Sequence, residues 1–525
     1  MHLREMSHTA ATTCRTCVPP VLRQLQLDQR CRRRDVLPVL PSTLMLLVVV
    51  LMALGALWLV RRWADRAALR AVRRFGARVN RFKLTRKGYI RDTLMTNPRI
   101  AAAAEQHARE HGLDEKDAWR RVDRYIDEIV PFFNILAYYK FGYAASRATL
   151  NLLYKVSVDY ESLRELDALP RDSVVVYLAN HRSNADYVLL AYVLAGDVSI
   201  SYAVGEWARA FPLEYVFKSF GSYFIRRGYR EPLYHTVLEE YVQLIARNGV
   251  TQGIFPEGGL TRDGRLRPGK VGLIDYTIGV ARDSEFARRL VFVPVAINYD
   301  RVLEDRSLLR ELARRESGAH ASSRFGQLTE VVRYVGRNLA RLATRRWKRY
   351  GRAAVTLGRP IHAEAWLTSV REDGRDLFDL ERTARLACVQ TLVDTVLARI
   401  SELIPVTSVP LACAAIQSFD SDFIPRERLL HRMAEMRDVL VELNARVLRS
   451  DRSIEETFDR AYRMLAMRHV LVSEGMGYVV LERGRPLISY YANSIAHLLG
   501  DFEAGVRARD ALPSSAASGA LARSL

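Results

Sequence analysis

The chain has 525 residues, enough for about two or three domains, and its 49% hydrophobic and 26% charged content excludes wholesale disorder. A formal net charge of +20 favours nucleic acid, an anionic surface or phosphorylated substrates as partners, the bland alternative being a solvated arginine-rich exterior. Five cysteines build no disulfide framework: Cys14 and Cys17 form a lone Cys-x-x-Cys with Cys31 beyond, and His2 and His8 supply no fourth zinc ligand, so no metal is expected. So low a count fits a reducing compartment.

In chain order, residues 1–42 read as a basic, flexible head. Residues 43–60 carry no charge and consist almost wholly of Leu, Val, Met and Ala. That length lies near the lower end of the roughly 17–25 residues that cross a bilayer, which predicts a transmembrane anchor. Arginines dominate both flanks and are denser downstream, which places the carboxyl side in the cytoplasm and the protein at the cell inner membrane or another membrane. Residues 61–170 form a juxtamembrane and helical region. Its first helix is rich in arginine and drawn to anionic membrane lipid. Residues 171–365 alternate strands (near 174–178, 199–204, 222–225, 252–255, 291–297 and 353–357) with helices (186–194, 207–217, 234–247 and 272–281). This alternation predicts an α/β fold, doubly wound around a largely parallel sheet. Residues 328–350 repeat arginine every fourth position, as one helical stripe. Residues 366–510 read as a C-terminal helical region, with a short strand within 454–480, and 511–525 as a disordered tail.

Four segments of the middle region carry chemistry. Asn180-His181-Arg182-Ser183-Asn184-Ala185-Asp186 sits at a strand-to-helix junction, on the carboxyl end of a strand, where open α/β sheets place their sites. An imidazole there takes a proton from a hydroxyl near neutral pH, and a carboxylate five positions on fixes its tautomer. Ser183 lacks the surroundings of a nucleophile and reads as a helix cap. Gly221-Ser222-Tyr223-Phe224-Ile225-Arg226-Arg227 ends a strand in two guanidinium groups, which grip phosphate in a bidentate manner. Phe255-Pro256-Glu257-Gly258-Gly259-Leu260-Thr261-Arg262 follows a strand with glycines that allow close backbone approach. The fourth segment, Val293-Pro294-Val295-Ala296-Ile297-Asn298-Tyr299, is another buried strand.

The order and spacing of these blocks resemble the glycerolipid acyltransferase family, most closely its glycerol-3-phosphate and dihydroxyacetone-phosphate acyltransferase branch. The resemblance covers about a third of the chain. It implies His181 as general base supported by Asp186, with no protein nucleophile, because the acceptor hydroxyl attacks the thioester directly. Arg182, Gly221, Phe224, Arg226, Arg227, Glu257, Gly258 and Gly259 then fall in substrate-binding blocks. Arg262 and Lys270 are candidates for further phosphate contacts, and Pro294 takes acyl-donor or structural duties. The implied co-substrates are acyl-CoA or acyl carrier protein and the acceptor is glycerol 3-phosphate; no cofactor is implied. One departure stands out. The family carries arginine where this chain has Leu260, and serine where it has Thr261, which leaves the acceptor open.

Two alternatives accompany this reading. Asn180 and Phe255-Pro256-Glu257-Gly258 look more like 1-acylglycerol-3-phosphate acyltransferases, which make phosphatidate from lysophosphatidate. A non-catalytic, membrane-tethered basic binding protein is the alternative of another class. Nucleic acid is disfavoured, because the arginines of the motifs lie at strand ends rather than along a stripe with interleaved aromatics. Acyl chain length, donor and oligomeric state are not legible.

Overall fold

The structure, a computed structural model, describes residues 87–133, 143–194, 200–205, 213–317, 349–372 and 376–500, with the isolated positions Met52, Gly55, Phe82, Thr85 and Arg209. The chain divides into two compact units, Met1–Arg70 and Ala71–Leu525. Within the first, only Met52 and Gly55 are described, both helical and exposed.

The second unit is built on an eight-stranded sheet: β1 (Lys155–Tyr160), β2 (Val174–Ala179), β3 (Ser201–Gly205), β4 (Tyr223–Ile225), β5 (Gln252–Ile254), β6 (Leu290–Tyr299), β7 (Arg352–Leu357) and β8 (Ile361–His362). The order is β1-β7-β6-β2-β5-β3-β4, with β8 also on β6. Pairing is parallel throughout except where β7 and β8 run antiparallel to β6, so the sheet is mixed and largely parallel. All ten residues of β6 are buried, as a near-continuous apolar run at the centre of a covered sheet requires.

The helices that position the site are α1 (Lys87–Met95), α2 (Pro98–His111), α3 (Glu115–Ile129), α4 (Ala185–Leu194), α5 (Pro232–Arg247), α6 (Gly272–Ile278), α7 (Asp305–Glu316), α8 (Arg382–Glu402), α9 (Ser408–Gln417), α10 (Arg426–Glu442), α11 (Ile454–Ala466) and α12 (Arg485–Asn493). On α3 the buried Ala118, Val122, Tyr125, Ile126 and Ile129 recur at helical spacing. This stripe packs with α1 and α2 against α5 in a core of its own. Asn97 caps α2 through Arg99 and Ile100 N–H, and its amide donates to Glu240 of α5 at 2.7 Å.

The C-terminal region shares the main core with the sheet. Every residue of α9 from Val409 to Ile416 is buried, so this helix is apolar all round and forms the axis about which α10, α11 and α12 pack. A small antiparallel sheet, β9 (Phe423–Pro425), β10 (Leu471–Glu474) and β11 (Gly477–Val480), completes the region. The buried Arg468 pairs with both oxygens of Asp305, which also accepts from the Tyr491 hydroxyl.

Several expectations need correction. No helix among the described residues is long and apolar enough to cross a membrane, so the described architecture includes no transmembrane helix, against the expected anchor and the membrane location and orientation inferred from it. Residues 43–60 themselves lie outside the described residues except for Met52 and Gly55, as do the juxtamembrane arginines, the 328–348 part of the arginine stripe, the tail, and Cys14, Cys17 and Cys31. The helical reading of residues 61–170 misses β1, a sheet edge of sequence Lys-Val-Ser-Val-Asp-Tyr with no fully buried residue, although Val156, Val158 and Tyr160 recur at the strand period and Val156 and Tyr160 pack against the main core.

Candidate functional site

The strand β2 ends in Asn180, whose side-chain amide donates to Ile297 O at 3.0 Å and accepts from Ile297 N at 2.7 Å, so the side chain continues the ladder to β6. The chain then turns into α4, and Asp186 in its first turn reaches back over that turn. Its Oδ2 accepts N–H bonds from Arg182 at 2.7 Å and Ser183 at 3.0 Å, and faces His181 Nδ1 at 3.0 Å. Its Oδ1 accepts the Tyr299 hydroxyl at 2.6 Å. Four donors on one carboxylate at a helix start hold it in a single orientation. Since it only accepts, His181 Nδ1 is the donor, and Nε2 keeps the lone pair that takes a proton.

His181 is 1% exposed and stacks on Phe255 at 4.1 Å between ring centroids, with Tyr187 edge-on. Burial lowers its pKa below the ordinary imidazole range; the hydrogen bond and charge of Asp186 oppose this, and the Arg227 charge adds to it. Its backbone is braced as well. His181 N donates to Glu257 Oε1 at 2.7 Å, Arg267 N to Glu257 Oε2 at 2.9 Å, and Thr261 N to His181 O at 3.1 Å. Burial pushes the Glu257 carboxyl up to about 7 against these two N–H bonds. Glu257 therefore ties the glycine turn to the histidine, and neither of its oxygens is free.

The cations divide sharply. Arg226 is locked: Nε and Nη2 reach Glu128 at 2.8 and 2.6 Å, and the guanidinium lies among the rings of Tyr125, Tyr229 and Tyr234. Arg182 is buried and engages the carbonyls of Ile297, Gly264 and Ser494. Arg262 pairs with Glu311 of α7 at 2.8 Å. Arg227 is different. It is exposed and, among the described residues, has no ion pair or side-chain hydrogen bond. A β-carbon on Gly205, at the end of β3, would fall 2.8 Å from Arg227 Nε, and one on Gly259 would lie 3.3 Å from Arg227 Nη1. Lys270 runs along Gly258, where a β-carbon would meet its Cδ at 2.8 Å, and Gly258 itself has φ +65°. Both reasons explain the glycines: backbone that L side chains rarely adopt, and close approach of charged chains.

His181, Asp186, Arg227, Glu257, Gly258, Gly259 and Lys270 are thus brought into one neighbourhood. Arg182, Arg226 and Arg262 are committed elsewhere. Phe224 is core, 1% exposed, and Gly221 holds a turn at φ +82° beside Phe133. Pro294 lies in β6 where its antiparallel partner changes, between the pairing of Phe292 with Ile361 in β8 and of Val295 with Leu357 in β7. Its missing N–H therefore interrupts no ladder. Ser183 Oγ donates to Glu304 and accepts from Ala185 N, which leaves it no freedom to act as a nucleophile. Sequence reasoning missed Tyr299, Glu128, Gly205 and Arg267. A tyrosine closing a buried strand and a glycine closing another were the available signals; Glu128, on a distant helix, gave none.

A base fixed by a carboxylate, next to a guanidinium without an ion pair among the described residues and a glycine turn, is an arrangement able to activate a hydroxyl on an anionic molecule. The acyltransferase family model matches residues 162–298, and the model of the glycerol-3-phosphate acyltransferase C-terminal region matches residues 337–501. The chain is 28% identical to a glycerol-3-phosphate acyltransferase of Aeromonas hydrophila over 79% of this chain and 50% of that one. It is 26% identical to one of Pasteurella multocida, over 77% and 49% respectively. The chain spans about half the length of the curated relatives it matches. A solved 1-acyl-sn-glycerophosphate acyltransferase from Thermotoga maritima is 17% identical over 50% of this chain and 78% of that one, with a TM-score of 0.27, too low to carry an argument. By these matches the chain belongs to the glycerolipid/glycerol-3-phosphate acyltransferase family.

Proposed function

We propose that this protein moves a fatty acyl group from acyl-CoA or acyl carrier protein to the sn-1 hydroxyl of glycerol 3-phosphate, giving lysophosphatidate. The observation that carries the reading is the His181–Asp186 pair beside Arg227, which has no ion pair among the described residues. His181 Nε2 takes the hydroxyl proton as the acceptor oxygen attacks the thioester carbonyl. Asp186 stabilises the imidazolium so formed. Collapse of the tetrahedral intermediate breaks the C–S bond, and the leaving thiolate takes the proton back from His181. Arg227 and Lys270 hold the acceptor phosphate, so that the hydroxyl is presented to the base rather than met by collision. Residues 171–365 form the catalytic region in this reading, and 366–510 its C-terminal helical complement.

The test is purified full-length protein with a labelled acyl thioester and glycerol 3-phosphate, dihydroxyacetone phosphate and lysophosphatidate compared side by side. Transfer to glycerol 3-phosphate that disappears in His181→Ala supports the proposal. Efficient acylation of lysophosphatidate with glycerol 3-phosphate ignored overturns the acceptor assignment and leaves the base in place.

A further inference from the structure

The family's arginine after Glu-Gly-Gly is absent here, and Leu260 in its place packs against the main hydrophobic core. The nearby Arg262 is held by Glu311. The glycine turn nevertheless faces a second guanidinium. A β-carbon on Gly259 would lie 3.3 Å from Arg227 Nη1 and 3.4 Å from Arg267 Nη1, so two tips approach the same point from β4 and from the loop after the turn. Lys270 Nζ lies 3.3 Å from the corresponding point on Gly258, one residue away. Among the described residues, none of the three cations has an ion pair or side-chain hydrogen bond. The acid whose charge reaches Arg267 is Glu257, buried and already committed through both oxygens to backbone N–H groups. Three like charges around two glycines repel one another, and a bound anion offsets that repulsion.

We infer that Arg267 is a substrate-binding residue, which with Arg227 and Lys270 clamps one phosphomonoester over Gly258–Gly259 and supplies the guanidinium that Leu260 does not. Two guanidinium tips within 3.4 Å of one point suit a single tetrahedral phosphate, each N–H···O bond to a charged oxygen being about 2.7–2.9 Å long, and Lys270 stands one residue away. The backbone of Arg267 is fixed by its N–H bond to Glu257, the same carboxylate that fixes His181, so the clamp and the base share one support. This assignment rests on the function proposed above for the choice of phosphomonoester, which is the acceptor's; the phosphates of coenzyme A are the competing source of the same chemistry.

Full-length wild type, Arg267→Gln, Arg267→Lys and Arg265→Gln are compared. Arg265, exposed in the same loop, controls for general loss of charge. Calorimetric titration is done with inorganic phosphate, glycerol 3-phosphate and coenzyme A, and the KM of acceptor and donor is measured separately. Loss of one charge-assisted contact weakens glycerol 3-phosphate binding by about ten- to hundred-fold in Arg267→Gln. Arg267→Lys falls between, Arg265→Gln matches wild type, and the acceptor KM rises while the donor KM stays. Unchanged binding in Arg267→Gln, a loss equal to that of Arg265→Gln, or a loss confined to coenzyme A overturns the inference. Wild-type protein that binds glycerol 3-phosphate through Arg267 yet transfers no acyl group leaves the clamp standing and removes the proposed function instead.

Discussion

Arg226, clamped on Glu128 inside a ring of three tyrosines, and Arg227, lying against Gly205 and Gly259 with no ion pair among the described residues, are consecutive residues at the end of one strand. The same division runs through the whole site. Around Asp186 every charge and donor is matched: His181, Arg182 N–H, Ser183 N–H and Tyr299 all end on one carboxylate. Around Gly258–Gly259 the cations Arg227, Arg267 and Lys270 have no ion pair among the described residues. Matched charge in a buried setting holds geometry, and removing one partner leaves the other exposed to the full cost of desolvation. Unmatched charge beside glycine is poised for a ligand. A motif that contains two arginines therefore names two different jobs, and only the neighbours contributed by α3 tell them apart.

The largest expected effect tests the matched side. His181→Ala lowers turnover by about 10²–10⁴-fold, the usual contribution of a general base. Folding persists, because Asp186 keeps three of its four donors, and circular dichroism melts together with turnover assays check both halves. Near-normal turnover in a folded variant removes the mechanism.

Next come the two arginines themselves. Arg227→Ala raises the acceptor KM by about ten- to hundred-fold, the equivalent of one lost charge-assisted bond, with little change in melting temperature. Arg226→Ala does the reverse. It strips Glu128 of a bidentate partner and costs up to about 3 kcal/mol, less than a fully buried pair because Arg226 keeps some exposure and Arg209 also reaches Glu128. Swapped phenotypes in a denaturant titration and a KM measurement break the comparison outright.

Glu257→Gln sharpens it. An amide oxygen replaces only one of the two acceptors that meet His181 N–H and Arg267 N–H, so one donor is orphaned at about 1–3 kcal/mol. Stability and turnover fall together, whereas a change confined to acceptor KM makes Glu257 a ligand. The smallest effect is in pH. His181 lies below the ordinary imidazole value, so the acid limb of kcat/KM falls below about 6.5. Arg227→Gln moves that limb to higher pH, because a charge opposing the imidazolium is gone. The linked stability has the same sense: a neutral buried histidine contributes above the unfolded pKa, and that contribution is lost as pH falls through the lower folded value.

Much of the sheet was legible because β-branched runs such as 174–178 and 291–297 announce buried strands, and the structure places β2 and β6 there with one or two residues more at their ends. The dyad was legible for a related reason: strand, turn and helix are contiguous, so His181 and Asp186 meet through local geometry alone. What escaped was non-local or unpatterned. The edge strand β1 carries Val156, Val158 and Tyr160 at the strand period, yet six residues with none fully buried are a weak signal beside the helix that precedes them. The fate of Arg226 depended on Glu128, ninety-eight positions away. That of Arg182 depended on Ser494, three hundred and twelve away. No local window contains such partners. The membrane anchor was read from hydropathy alone, and no described helix supports it.

The Arg182 guanidinium, seated between the Gly264 and Ser494 carbonyls, has a consequence for anyone wishing to rebuild this protein. Asn493 also donates to Asp263 O at 2.9 Å, and a β-carbon on Gly264 would sit 1.9 Å from Tyr490 O. The loop that follows the glycine turn is thus cast against α12 and the residues just after it, as a key is cut against its lock. A chimera that takes residues 162–298 from this chain and its C-terminal half from a relative will inherit a loop shaped for a surface it no longer meets. Exchange of the loop together with residues 490–494 is the smallest graft that keeps both faces of the joint.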